Sequence, residues 1–359
     1  MDTPPNGLLH TRIFLGNLSA TKKPGGDWSV RSGKCESTQQ SSRASGYSPV
    51  NSRVTSRVNC PMSSRVEALW GTKFLEARQL SQTLSVPMDT ISFLTDYGHA
   101  DEFVGVCKSV LRQLAPEAAV IDITHDLPPH DVRAGSLALV RAAQYLADGV
   151  VLAIVDPGVG TSRRAVAVEC GENGEYVFVG PDNGLMAPAV AMLGGARRAV
   201  HLTNEDHHLA APGATFAGRD VFAPVAARLC AGTPFEDLGE LIDPVTLLPG
   251  ILPLSRFEDD AVQGEALWVD RYGNVQLNVG PEDLDPLGHL ANGDVVTISF
   301  NQKARTARLC HTYADIKAGE VGLVVDSYGL LSVCVDRQSA SRELGLGTSS
   351  AVKITIPTE

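Results

Sequence analysis

From Thr90 onward, short apolar runs alternate with stretches of helical period, and run after run stops at an acidic residue. Residues 91–94 end in Thr95-Asp96-Tyr97-Gly98, and a helical pattern follows through Phe103, Val106, Val110, Leu111 and Leu114. Residues 119–123 form the next run, 136–146 read as a helix, and 150–155 run into Asp156. Further runs at 166–168 and 176–179 follow, the second leading to Asp182-Asn183. Strands separated by helices of roughly 10–15 residues imply a mostly parallel sheet covered on both faces. In such sheets ligands bind beyond the carboxyl ends of the strands. Asp96, Asp126, Asp156, Asp182 and Asn183 all fall there.

After Pro249 the helical period fades. Residues 261–269, 275–279, 295–300, 321–325, 330–335 and 351–356 read as strands separated by Gly, Asn and Asp turns. The predicted architecture is an α/β N-terminal domain over 89–248 with a central, mostly parallel sheet. A smaller, all-β, barrel-like C-terminal domain follows over 254–359. Residues 1–88 keep neither period. Eleven serines lie between Ser29 and Ser64, so this extension is expected to be disordered, with a short amphipathic helix possible over 66–80.

Charge divides the same way. The whole chain carries −11; eleven Lys/Arg against five Asp/Glu make residues 1–88 +6, which leaves −17 on the remainder. An acidic body repels phosphate backbones, which argues against nucleic acid as a partner. The longest apolar run, 149–155, is far short of the roughly 20 residues that span a bilayer, which argues against a membrane. The seven cysteines are dispersed without a C-x-x-C, which favours buried thiols in a reducing, cytoplasmic setting. The sequence contains no G-x-G-x-x-G after the first strand, no P-loop, no G-x-S-x-G and no H-E-x-x-H, so dinucleotide, nucleotide-triphosphate, hydrolase-elbow and zinc chemistry are weakly supported.

Individual motifs leave alternatives open. Asp96 either accepts hydrogen bonds from a ribose diol or caps the next helix. The loop Asp156-Pro-Gly-Val-Gly-Thr-Ser-Arg-Arg164 either lets backbone N–H groups approach a ligand or forms a tight turn with an ion pair. Across it, Asp156 and Arg163 are spaced to converge and hold a water between them. Asp270-Arg-Tyr-Gly-Asn274 and Asp326-Ser-Tyr-Gly329 read as turns when taken alone.

Taken in order, these stretches resemble one family. Phe93-Leu-Thr-Asp-Tyr-Gly98, Asp122-Ile-Thr-His-Asp126, Asp131-Val-Arg-Ala-Gly135, Asp156-Pro-Gly-Val-Gly-Thr161, Gly180-Pro-Asp-Asn-Gly-Leu185, Thr215-Phe-Ala-Gly-Arg-Asp220 and Tyr272-Gly-Asn274 are similar to the S-adenosyl-L-methionine hydroxide adenosyltransferases, relatives of the fluorinase and chlorinase. The likeness spans about residues 90–358. It implies hydrolysis of S-adenosyl-L-methionine to adenosine and L-methionine by attack of water or hydroxide at ribose C5′. It also implies no cofactor, no metal, and a homotrimer with active sites at subunit interfaces.

Carried onto this chain, the resemblance gives Asp156 and Arg163 the catalytic roles, Asp156 orienting the water and Arg163 lowering its pKa. Asp96 holds the ribose hydroxyls, and Asp101 and Asp270 meet the methionine ammonium. Asn183 and Asn274 touch ribose or adenine, and Ser327 with the Tyr328 backbone lines the purine pocket. The halogenases have a Tyr-Pro-x-Thr-Gly-Thr type loop where this chain has Asp156, and a carboxylate there disfavours halide. Two positions depart from the pattern. Ala217 stands where the hydrolases have His, and His130 stands where the fluorinase has Trp.

Overall fold

The computed structural model describes residues 88–357 and, ahead of them, an antiparallel strand pair, β1 (Leu18–Lys22) and β2 (Trp28–Ser32). The expectations for the rest of the N-terminal extension lie outside the described residues.

The first sheet has seven strands. β3 (Thr90–Thr95) is flanked by β4 (Ala119–Thr124) and β5 (Gly149–Ile154), and β5 pairs in turn with β7 (Tyr176–Pro181), all in parallel. Beyond β7 the pairing turns antiparallel through β6 (Ala165–Cys170), β8 (Ala196–His201) and β9 (Glu240–Ile242). Every residue of β5 and β7 is buried, as strands must be when helices cover both faces. Each fully buried Val, Leu, Ile or Phe contributes roughly 1.5–3 kcal/mol.

Helices α1 (Phe103–Leu114) and α4 (Ala223–Cys230) cover one face, sharing a core with Phe93, Leu152 and Phe222. Helices α2 (Val132–Ala143) and α3 (Ala187–Met192) cover the other with Leu139, Phe178 and Leu185. α1 follows the predicted apolar stripe, burying Val104, Cys107 and Leu111, and stops two residues before Pro116. α2 begins at Val132, earlier than its apolar period suggests. The Asp131 side chain caps it there by accepting the Ala134 N–H at 2.8 Å.

The second sheet closes on itself. β11 (Ala261–Val269), β12 (Val275–Leu277), β16 (Leu331–Val335), β15 (Val321–Val325), β14 (Lys303–Cys310), β13 (Val295–Phe300) and β17 (Ala351–Thr355) form the ring, and β17 pairs back onto β11; β10 (Arg256–Glu258) extends its edge. The barrel interior holds Val262, Ala266, Leu277, Ile298, Leu323, Val333 and Ile354. A short helix, α5 (Ala340–Leu344), closes one end with Ala340 and Leu344 in the same core. The expected fold class is the observed one: an α/β domain with a mostly parallel sheet, followed by a β-barrel. Among the described residues no helix is long and apolar enough to cross a membrane.

Candidate active site

The carboxyl ends of β3, β5 and β7 bring the predicted N-terminal residues to one edge of the first sheet. β5 releases the chain into two successive turns, with Val159 N–H on the Asp156 carbonyl at 3.2 Å and Thr161 N–H on that of Gly158 at 3.1 Å. A Cβ at Gly158 would stand 3.1 Å from the Arg163 side chain, so glycine there leaves room for Arg163 to fold back over the loop. Gly160 takes φ +76°, a conformation that favours glycine.

Arg163 then meets Asp156 fork to fork, Nε on Oδ1 at 2.8 Å and an η nitrogen on Oδ2 at 2.5 Å. The side chains are 16% and 7% exposed, so this is a nearly dry, bidentate pair. Its members are in direct contact, which leaves no gap for the water expected between them.

Tyr97 belongs to the same edge. Its ring packs against Phe216 and Phe103, with centroids 5.7 and 5.8 Å away. Burial first, then the neighbouring Cys107 thiol and the carboxylates of Asp96 and Asp156, hold the phenol well above its ordinary range, while Arg163 pulls the other way. The hydroxyl lies against Gly218, where a Cβ would come within 2.2 Å of it. Gly218 opens a wide helical turn through Phe222; such turns recur at functional sites.

Ala217 sits at the start of that turn, partly buried against the core shared with Tyr97. The neighbouring His208 is electrostatically coupled to Glu205 and His207, and burial draws its imidazole below the usual range; neither Asp156 nor Arg163 is among its partners.

Asp96 accepts the His130 backbone N–H at 2.7 Å. His130 holds φ +67°, left-handed for a non-glycine residue, so this bond fixes a strained turn against the Asp96 carboxylate. Beneath it, Thr95 Oγ1 stands 2.8 Å from His125 Nδ1 and accepts the Tyr97 N–H at 3.2 Å. His125 Nε2 lies 3.1 Å from Asp122. Burial lowers the His125 pKa, with Asp122 opposing. Asp101 lies exposed just ahead of α1. The Asn183 amide donates to the Val155 carbonyl at 2.8 Å and accepts the Leu185 N–H at 3.1 Å, bolting the ends of β5 and β7 together.

The remaining predicted residues lie on the barrel. Asp270, Asn274, Ser327 and Tyr328 line a pocket of about 170 Å³ together with Trp268 and Asp326. Asp270 accepts the N–H groups of Tyr272 and Asn274 at 2.9 and 2.8 Å and the Asn274 amide at 2.8 Å. That fills three of the about four lone-pair sites of a carboxylate. Asp326 is saturated by Tyr328, Leu330, Gln276 and Ser332. Among the described residues, no hydrogen bond, ion pair or ring contact joins the barrel set to Asp96, Asp101, Asp156, Arg163 or Asn183. No group of three or more His, Cys, Asp and Glu among the described residues is arranged to hold a metal ion.

The SAM hydroxide adenosyltransferase N-terminal domain model matches residues 91–239, and the corresponding C-terminal domain model matches residues 264–353. The chain belongs to the SAM hydroxide adenosyltransferase family. The (R)-S-adenosyl-L-methionine hydrolase of Salinispora tropica is 45% identical over 269 residues, 75% of this chain and 98% of that one. The crystal structure of an uncharacterized conserved protein from Thermotoga maritima superposes with a TM-score of 0.68 at 34% identity, covering 74% of this chain and 99% of the other. The fluorinase of Actinopolyspora mzabensis stands further off, 26% identical over 302 residues, 77% of this chain and 99% of that one. Membership in the SAM hydroxide adenosyltransferases is therefore carried by both halves of the chain. Tyr97 lies inside the Phe93–Gly98 motif, where the pattern alone marks a turn and gives its side chain no task. Trp268, which also lines the barrel pocket, stands in a strand with no motif to mark it.

Proposed function

We propose that this SAM hydroxide adenosyltransferase hydrolyses S-adenosyl-L-methionine to adenosine and L-methionine. The buried Asp156–Arg163 pair carries the reading. Arg163 fixes the carboxylate, whose outward lone pairs accept a proton from a water placed in line with the C5′–S bond. The oxygen–C5′ bond forms as the C5′–S bond breaks, and the electron pair leaves with sulfur as a neutral thioether. The water's proton passes by way of Asp156 to solvent. A leaving group that needs no protonation removes the need for a cofactor. When hydroxide attacks a sulfonium, charge is annihilated, and a dry site favours such a step. The side chains of Tyr97, Phe103 and Phe216 keep one wall of the site apolar.

Asp96 takes the ribose diol and Asp101 the ammonium, while Asn183 faces the ribose from the end of β7. Asp270, with one lone-pair site left by its own turn, also meets the ammonium; Asn274, Ser327 and Tyr328 line the adenosine side. These residues sit in two domains, 89–248 and 254–359, that do not join them within one chain. A homotrimer whose sites form between one copy's sheet edge and a neighbour's barrel brings them together. Support comes from an apolar strip suited to a second copy: Val245, Leu248 and Ile251 are 67%, 53% and 71% exposed. A cytoplasmic setting accords with the five described cysteines, all unpaired thiols.

The relative's name specifies the R configuration at sulfur, and we extend that preference to this chain. The test is incubation of the full chain with each sulfonium epimer, with and without chloride, followed by chromatography. Adenosine and methionine in both buffers, formed faster from the R epimer, is the expected result. A chloride-dependent 5′-chloro product, or no product, contradicts it.

A further inference from the structure

The stretch Asp122-Ile-Thr-His-Asp126 belongs to the family pattern, yet the reaction leaves its histidine without a task. His125 follows β4 directly and is 1% exposed, beside the turn that carries Asp96 and Tyr97. Its ring meets those of Phe93 and His99 edge to face, with centroids 4.7 and 5.4 Å away.

Two hydrogen bonds give the imidazole a direction. Asp122 holds Nε2 at 3.1 Å, and Lys108 of α1 donates to the same carboxylate at 2.6 Å. Partial burial opposes ionisation of Asp122, but the bonds from Lys108 and His125 carry its carboxyl below the ordinary range. An ionised carboxylate only accepts, so Nε2 carries the proton and Nδ1 is bare, an assignment made from the partners. Thr95 Oγ1, 2.8 Å from Nδ1, is then the donor, and it accepts the Tyr97 N–H at 3.2 Å. Thr95 is 0% exposed, so neither atom of that bond can turn to water instead.

His125 reaches the turn a second time through its backbone, whose carbonyl accepts the Gly98 N–H at 2.8 Å. Asp96 and Tyr97 are thus gripped from both sides by one residue, while the His130 N–H holds one Asp96 oxygen at 2.7 Å. We propose that His125 is a positioning residue for the ribose diol, fixing the Asp96 carboxylate through Thr95 so that it receives both hydroxyls. This rests on the ribose-holding role given to Asp96 and extends it to the group that sets its attitude. A bidentate contact demands close alignment, so a small tilt of the turn forfeits the diol while the base remains bound.

The test compares two nucleosides with no sulfonium to displace, adenosine and 2′,3′-dideoxyadenosine. Calorimetric titration of the full chain is expected to show adenosine bound about 10- to 100-fold more tightly. His125→Gln, whose amide reaches towards Asp122 but leaves Thr95 without its acceptor, is expected to lose most of that preference. His125→Asn, whose amide oxygen stands near the Nδ1 position, is expected to keep most of it. Thr95→Val, which removes the hydroxyl, is expected to behave as His125→Gln does. A His125 that only packs β4 against β3 would weaken both nucleosides alike. An unchanged ratio in His125→Gln and Thr95→Val overturns the proposal, as does an unaltered chain that binds both nucleosides equally or binds neither. Loss of folded protein cancels in the ratio, because stoichiometry reports the active fraction. Asp96→Ala separates the two failures. If it abolishes the preference and His125→Gln does not, Asp96 holds the diol unaided and only the role of His125 falls; if it keeps the preference, the role of Asp96 falls as well. Release of adenosine from S-adenosyl-L-methionine by the unaltered chain tests the hydrolase reading on its own.

Discussion

Asp156 and Arg163 sit seven residues apart on one loop and close on each other through two hydrogen bonds of 2.8 and 2.5 Å. The proposed mechanism gives them unequal tasks. Arg163 spends its fork on the carboxylate, whereas Asp156 has lone pairs left to accept a proton from the water. Asp156→Asn retains the shape and one acceptor but removes the base, so turnover is expected to fall about 100- to 10,000-fold with substrate binding largely retained. Steady-state kinetics beside equilibrium binding checks this, and an unchanged turnover removes Asp156 from the mechanism. Their convergence was legible because the loop's Pro and Gly residues mark a tight turn whose span a guanidinium can bridge. Direct contact was not legible, since it depends on the space that Gly158 leaves.

The elements hold the site by close approach. Gly218 is pressed by the Tyr97 hydroxyl, to which a Cβ would come within 2.2 Å, while the next ring atom is 3.1 Å away. Gly218→Ala is therefore expected to cost about 1–3 kcal/mol through overpacking. Adding Tyr97→Phe removes the clashing oxygen and is expected to recover part of that loss, a coupling that a double-mutant cycle read by thermal melting measures. Additive effects of the two changes would show that the contact is not tight.

His125 is buried beneath the same turn between Thr95 and Asp122, and burial lowers its pKa below the ordinary 6.5. The unfolded chain then binds a proton that the folded chain resists, so stability falls as pH drops from about 6.5 towards the folded-state pKa. His125→Gln is expected to flatten that part of the stability profile; chemical denaturation across the range decides it, and an unaltered slope assigns the effect to another group. Elements were legible where burial was uniform, as in β5 and β7. β14 was missed because its first four residues, Lys303 to Thr306, are exposed and break the apolar run, although pairing with β13 and β15 holds it in the barrel.

At the scale of the whole molecule, the predicted residues divide into two half-sites, one at the edge of the parallel sheet and one on the barrel. A single chain does not join them by any hydrogen bond, ion pair or ring contact among the described residues. The proposed trimer does so, and the apolar strip around Ile251 is its expected seam. Ile251→Glu places a charge on a side chain that is 71% exposed in the lone chain. Sedimentation is expected to show dissociation, with loss of turnover in step; a monomeric and fully active variant would mean that one chain suffices. The two-domain plan was readable from the change of period after Pro249. The proposed meeting of half-sites between copies comes from the family resemblance alone, because no local pattern records which surface a second copy covers.

Water that attacks ribose C5′ leaves its oxygen on the product, and a label on that oxygen reports the attack most directly. Turnover of S-adenosyl-L-methionine in water enriched in heavy oxygen, with mass spectrometry of both products, locates the new bond. The mechanism predicts one labelled oxygen at the 5′-hydroxyl of adenosine and none in methionine. An unlabelled adenosine would contradict it.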